Sequence, residues 1–262
     1  MTDLGTPENQ SSSNNVWYFA YGSNMNKITM ERRNFKPQQS HPARLSGYCL
    51  SMGLRGLPYI EPAFATVIKR EDLNPPPNVP DVHGVVHLIT KAEFRRIVLS
   101  EGGNGHKGFG YQQKDVLVSL VDEKGDEIGT VVGTTLVTPI SAISPEYWPS
   151  KRYLDLCVSG AKAHRVPETY VEWLAAHDCY DSSKSTLAKT VGKYVAMGLA
   201  LPSSFVMLFV TICFVRWDIQ PPWILAKAMQ SAFFVHQTIH TWLFRHLFGS
   251  GVNHLDLHPK KK

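Results

Sequence analysis

Apolar residues fall in short blocks through the first two thirds of the chain and in long helical series in the last third. Val16–Ala20 is a compact apolar block that halts at Tyr21-Gly22-Ser23-Asn24, which reads as a strand entering a turn. Arg44–Met52, Ala63–Lys69 and Val82–Ile89 also read as strands. Gln112–Val121 and Glu127–Thr138 flank the turn residues D-E-K-G-D and predict a hairpin. Asn26–Arg33 suits a short helix with Asn24 or Asn26 as its N-cap. Thr90 caps a helix over Lys91–Ser100, with Phe94, Ile97 and Val98 on one face, and the glycines after Glu101 end it. Between Asp72 and Asp81, L-N-P-P-P-N-V-P cannot join a sheet because proline lacks the amide donor. Strands dominate with no repeating βαβ rhythm. The expected class is α+β, built on a curved, mixed or largely antiparallel sheet or barrel with flanking helices.

From Ser150 the period becomes helical. Lys151–Gly160 and Val166–Ala176 are amphipathic, the second opening with Pro167, and a polar linker follows Asp178. Tyr194–Val215 then holds 22 residues without a charge between Lys193 and Arg216. As a helix it extends roughly 33 Å, enough for a hydrocarbon core of about 30 Å. Trp223–Phe248 sets Lys227, Gln230, Gln237, Thr241 and Arg245 opposite Ile224, Leu225, Met229, Ile239, Leu243 and Leu247, an interfacial pattern. These shifts divide the chain into a disordered leader (1–15), a folded domain (16–180) and an apolar helical C-terminal extension (181–262). Membrane contact through 194–248, with 194–215 as an anchor, is favoured over a buried helix pair closing an oligomer interface. A homodimer stays open as the alternative.

The formal charge is +5, with Lys260, Lys261 and Lys262 at the very end and the other basic residues scattered. No basic cluster alternates with aromatics, so a nucleic-acid partner is not expected. Cys49, Cys157, Cys179 and Cys213 are far apart and form no C-x-x-C pair, which argues against zinc or a disulfide framework and fits a reducing compartment. The first residues lack the basic and apolar regions of a secretory signal, so the folded domain is expected to be cytoplasmic.

Two places carry chemistry. Small residues after a strand let main-chain N–H groups converge on an anion or oxyanion, and Gly22, Ser23 and Asn24 supply such a turn. Taken alone, the tetrapeptide is more often an ordinary turn. Glu101 ends a helix, where the dipole disfavours a second negative charge. Turned inward, its carboxyl would be raised towards the range of a general base; turned outward, it is a solvated glutamate. His236 and His240, four apart on a helix, find no third ligand and read as part of a polar face. His83 and His87 share one side of a strand. Ser23 has no His or Asp partner of a hydrolase triad.

In series these features resemble the γ-glutamylcyclotransferase family. The resemblance rests on Y-F-A-Y-G-S-N-M at the first strand end and Glu101-Gly102 after a helix. It continues with Gly110-Tyr111 before the next strand and P-S-K-R-Y-L-D-L-C-V-S-G-A over Pro149–Ala161. It covers roughly Val16–Ala176, while the Pro-rich loop, Gly105–Gly108 and the tail after Tyr180 depart from the pattern. The apolar tail is similar to that of fungal members of gliotoxin-type epipolythiodioxopiperazine pathways.

The resemblance implies intramolecular attack of a γ-glutamyl α-amine on its own γ-carbonyl, giving 5-oxoproline and a free amine, with no cofactor and no metal. It implies Glu101 as the catalytic proton carrier, and Tyr18, Phe19, Ala20, Tyr21, Gly22, Ser23 and Asn24 as the loop binding the substrate largely through main-chain amides. Tyr111 would line the pocket and Tyr153 would bond the glutamyl group, although an amphipathic helix also accommodates Tyr153 as a core residue. The partner is a small γ-glutamyl compound, with a glutathione-derived adduct in mycotoxin biosynthesis as its finest form. The competing readings are a γ-glutamyl-binding module without turnover, tethered to a membrane, and a transferase or amidase acting on an external acceptor.

Overall fold

The computed structural model describes residues 14–101, 111–199, 209 and 223–254. Five strands close a barrel in the order β1 (Asn15–Ala20), β5 (Val82–Thr90), β2 (Gln39–Leu45), β6 (Gln112–Val121), β7 (Glu127–Val137). Neighbours run antiparallel except where β1 meets β7 in parallel at Tyr18 and Thr134, the contact that closes the ring. Closure leaves the barrel itself without an open edge strand. β3 (Tyr48–Leu57) and β4 (Glu61–Lys69) form a separate antiparallel ribbon, with a register shift between Ser51 and Leu54.

The expected strand over Arg44–Met52 is two strands. Gly47 turns the chain at φ 77°, a left-handed conformation that suits glycine, so Leu45 ends a barrel strand and Tyr48 starts the ribbon. The β6–β7 hairpin forms as its turn chemistry predicts. Asp122 Oδ1 accepts from the amides of Lys124 and Asp126, both at 2.9 Å, and Gly125 takes φ 91°.

α1 (Lys27–Arg32) starts at Asn26, whose Oδ1 accepts from Ile28 N at 2.9 Å. α3 (Lys91–Ser100) begins with a complete capping box between Thr90 and Glu93 and buries Phe94, Ile97 and Val98. A short α2 (Arg70–Leu73) precedes the Pro-rich loop, and α4 (Lys151–Ala163) and α5 (Glu168–Ala175) complete the domain. One core joins the barrel strands to α3, α4 and α5 through Phe19, Val86, Ile97, Leu120, Leu154 and Leu174.

Beyond α5 come a helix described over 187–199 (α6), then α7 (Trp223–Ile239), a π-helical stretch His240–Phe244, and α8 (Arg245–Phe248). This part docks on the ribbon tip. Tyr59, fully buried, donates its amide to Gly251 O and its hydroxyl to Gly249 O at 2.8 Å, and packs with Ala196, Phe244 and Phe248. Gln237 Nε2 donates to Gly56 O, and Gln237 Oε1 accepts from Tyr147 at 2.8 Å. His240 is not on an exposed polar face: it is buried edge-on against Tyr59, with Nε2 donating to Ser250 O. The amphipathic faces of α7 are reversed relative to a helix laid on a core. Polar Gln237 and His240 point into the protein, while Phe234, Val235 and Ile239, and Trp242 and Leu243 beyond them, point out. Among the described residues no helix is long and apolar enough to cross a membrane. Most of the expected span 194–215 lies outside the described residues.

Candidate active site

The site assembles where β1 leaves the barrel. After Ala20 the chain makes a single 3₁₀ turn, Ser23–Met25, closed by Met25 N to Gly22 O (3.1 Å) and Asn26 N to Ser23 O (3.0 Å). No side chain caps this turn, and its leading amides, those of Ser23 and Asn24, take no acceptor among the described residues. They form a small field of open donors.

α4 holds the turn in place by close backbone contact. A Cβ on Gly160 would lie 2.7 Å from the Met25 carbonyl carbon and 2.8 Å from Asn26 N, so only glycine lets the helix approach. Gly22 is fixed for a similar reason. Its φ of −118° is open to any residue, but a Cβ there would sit 2.9 Å from the Tyr153 hydroxyl. Its backbone freedom, the sequence argument for glycine, is not what the structure uses.

Tyr153 lies on α4, behind Ser150, the helix N-cap, whose Oγ accepts Tyr153 N at 3.0 Å. The Tyr153 hydroxyl accepts from Ala65 N at 3.1 Å, and the Tyr111 hydroxyl donates to Ala65 O at 2.6 Å. Ala65, on β4, thus ties both tyrosines to one backbone unit. Sequence reasoning missed it, because no side-chain chemistry marks it.

Glu101 is the C-cap of α3, with its amide bonded to Ile97 O at 3.0 Å. Its carboxylate is four-fifths buried and turned towards the strand-end turn: Asn24 Nδ2 donates to Oε1 at 3.3 Å. The same Nδ2 lies 2.8 Å from the Tyr18 hydroxyl. Asn24 Oδ1 is buried and without a partner among the described residues, an open acceptor beside the carboxylate. The walls are not purely apolar, as desolvation alone would require. Arg33, the C-cap of α1, places Nη1 2.5 Å from Glu101 Oε1 and 2.9 Å from Ser100 Oγ. Sequence reasoning missed Arg33 too, since Arg32 and Arg33 look alike in a short polar helix.

Burial raises the phenols of Tyr18, Tyr21, Tyr111 and Tyr153, and the charge of Glu101 pushes each further up. All four stay protonated at neutral pH and serve as neutral hydrogen-bonding groups. Burial lowers the Arg33 guanidinium, but the Glu101 carboxylate, with smaller help from Tyr18 and Tyr153, holds the group above its ordinary value.

Other expected residues are placed as support. The Phe19 side chain is in the core and its carbonyl accepts from Thr135 Oγ1 at 2.9 Å. Ala20 is buried, and the Tyr21 hydroxyl donates to Leu136 O. His87 is fully buried, with Nδ1 2.8 Å from Ser40 Oγ, whereas His83 turns to Tyr170 on α5. Gly102 and Gly110 lie outside the described residues.

The closed barrel thus sets the Glu101 carboxylate beside the turn that carries the open amides, and comparison with known proteins shows what the chain is similar to. The chain is 29% identical over 201 residues to the γ-glutamyl cyclotransferase gliK of Aspergillus fumigatus, covering 72% of each. It is 28% identical over 250 residues to the γ-glutamyl cyclotransferase aclK of Aspergillus oryzae, covering 90% of this chain and 89% of that one. The fold resembles the crystal structure of an uncharacterized human protein, with a TM-score of 0.50, 23% identity, and coverage of 64% and 90%. No family model matches the sequence. Over most of its length the chain is similar to γ-glutamyl cyclotransferases, which are enzymes.

Proposed function

We propose that this enzyme cyclises the γ-glutamyl group of a small molecule to 5-oxoproline and releases the amine it carried. The observation that carries the reading is the contact of the Glu101 carboxylate with Asn24, the residue whose turn presents the open amides. Carboxylate and amides are then within reach of one bound glutamyl group.

The α-ammonium of the substrate gives a proton to Glu101, and the freed nitrogen attacks the γ-carbonyl carbon. The carbonyl oxygen becomes an oxyanion that the amides of the turn at Gly22–Asn24 meet with hydrogen bonds. The attacking nitrogen, now positively charged, gives up its second proton as well. Collapse of the tetrahedral species breaks the original amide bond. The proton held by Glu101 passes to the departing nitrogen and the second follows it, leaving a neutral lactam, an ammonium and a free Glu101 carboxylate. Proton count and charge balance without water or a second substrate. Most of the acceleration comes from holding the chain curled, since well-oriented internal attack reaches effective molarities of roughly 10⁵–10⁸ M. Tyr153 and Tyr111, both bound to Ala65, shape the wall against which the glutamyl chain folds.

The similarity to fungal enzymes of gliotoxin-type pathways supports a glutathione-derived adduct as the physiological substrate. Mass detection of 5-oxoproline from γ-glutamyl dipeptides and glutathione adducts tests the reading. Free glutamate or a transferred glutamyl group would overturn cyclisation, and tight binding without product would point to a binding module.

A second reading concerns the extension: membrane contact through 194–248. The outward set of Phe234, Val235, Trp242, Leu243 and Leu247 supports it, with Trp242 77% exposed. Flotation of the full chain with anionic liposomes tests it; a protein that stays in the dense fractions would remove it.

A further inference from the structure

We propose that the Arg33–Glu101 ion pair reads the zwitterionic end of the substrate, with Arg33 binding the α-carboxylate while Glu101 takes the α-ammonium. The inference rests on the γ-glutamyl reading above and adds the residue that recognises the carboxylate.

A γ-glutamyl group carries an ammonium and a carboxylate on one carbon. A site that binds it must offer a negative and a positive group side by side. Glu101 and Arg33 are such a pair, in contact at 2.5 Å with each side chain about four-fifths buried. Their geometry is that of a half-used pair. A structural arginine–carboxylate contact tends to be bidentate, with two N–H groups on two oxygens. Here the closest approach is Nη1 to Oε1. The same Nη1 also reaches Ser100. Nε and Nη2 of Arg33 and Oε2 of Glu101 take no hydrogen bond among the described residues.

The remaining groups fit the same ligand. Asn24 uses Nδ2 for Glu101 and Tyr18, leaving Oδ1 as an acceptor that an ammonium can fill. Main-chain amides alone could hold a carboxylate, but they bring no full counter-charge to a partly desolvated anion. Arg33 brings it, in the planar form that matches a carboxylate. A zwitterion laid across the pair makes alternating signs at all four groups, and neither protein charge loses its partner. The position is also fixed: both residues are helix C-caps, of α1 and α3, so neither rides on a long loop.

The test compares two substrates with the same leaving amine: the γ-glutamyl amide and the matching 4-aminobutyryl amide, which lacks the α-carboxylate and cyclises to 2-pyrrolidinone. The intact chain should prefer the γ-glutamyl compound by on the order of 10²-fold or more in kcat/KM, the scale of losing one partner of a desolvated charged contact. Arg33→Met should collapse that preference to within a few-fold by slowing the γ-glutamyl reaction alone, and Arg33→Lys should retain part of it. If Arg33→Met slows both substrates equally, Arg33 acts through Glu101 and the inference is overturned; an undiminished preference overturns it as well. Calorimetric binding of the same two amides reads the preference without turnover. Absence of 5-oxoproline from the intact chain therefore sinks the proposed activity, while the carboxylate preference still decides the role of Arg33. Circular dichroism of both variants verifies that they fold.

Discussion

The hydroxyl of Tyr153 stands 2.9 Å from the point a Cβ on Gly22 would occupy, so a helix side chain and a strand-end glycine share one volume at the mouth of the site. The hydroxyl is pinned there by Ala65 N, which leaves it little room to yield. Gly22→Ala should therefore displace either the turn or the tyrosine. A shift of one ångström is enough to cost on the order of 10²-fold in rate, while overpacking of this size costs about 1–3 kcal/mol of stability. Kinetics and urea unfolding read the two effects. In the double variant with Tyr153→Phe, the added methyl meets no hydroxyl, and stability should recover by more than additivity allows. Strict additivity would show that the two residues do not compete for this space.

Glu101→Gln keeps the shape of the side chain and still accepts from Asn24, but it cannot take a proton. Release of 5-oxoproline should fall by about 10²–10⁴-fold, the contribution of a positioned general base. The fold should persist, since the α3 cap uses the main-chain amide of residue 101, not its side chain. Retained turnover with unaltered melting would remove Glu101 from the mechanism.

The parts legible in sequence are those decided by neighbours along the chain. Asp122 and Gly125 announce their hairpin, and Thr90 with Glu93 announces a helix start, because each motif is satisfied within a few residues. The order of strands around the barrel is not legible, because Tyr18 meeting Thr134 depends on closure of the whole sheet. Arg33 escaped notice because its partners, Ser100 and Glu101, come from another helix, and its neighbour Arg32 differs only in facing solvent. The two faces of α7 could be read from their period, yet not which one turns inward. That choice follows from the Gly56 carbonyl and the Tyr147 hydroxyl, which need Gln237 as a partner.

Stability should fall with acid through buried histidines. Burial, with His164 beside it, pushes the His87 ring down to about 3, against an ordinary value of 6.5. Between those values the unfolded chain takes a proton that the folded chain refuses, so stability rises with pH across the window and is fully present above about 6.5. The slope from one such group approaches 1.4 kcal/mol per pH unit, roughly. His240, lowered by burial to about 4, adds to it over a narrower range. Urea unfolding at pH 7.5, 6 and 5 measures the slope, and His87→Gln should flatten it. An identical slope in the variant would place the titration elsewhere.

Tyr59 is the peg that holds the C-terminal extension to the ribbon. It sits at φ 65°, a costly conformation for a side-chain-bearing residue, and is stabilised there by bonds to Gly249, Gly251 and Phe244 and by the ring of His240. Tyr59→Ala removes a fully buried aromatic ring and the hydroxyl that donates to the Gly249 and Phe244 carbonyls, a loss of about 3–5 kcal/mol if the whole chain unfolds as one. If the extension opens by itself, the loss appears locally. Hydrogen exchange separates the two: amides of 237–253 would then exchange faster while those of β1, β5 and β6 keep their protection. Tyr59→Phe keeps the ring and deletes only the hydroxyl, whose one hydrogen is shared between Gly249 O and Phe244 O, so it should cost about 1 kcal/mol. A variant in which barrel and extension lose protection together would mean that the extension is part of the same cooperative unit. Cyclisation should then become as sensitive to Tyr59 as to residues beside Glu101.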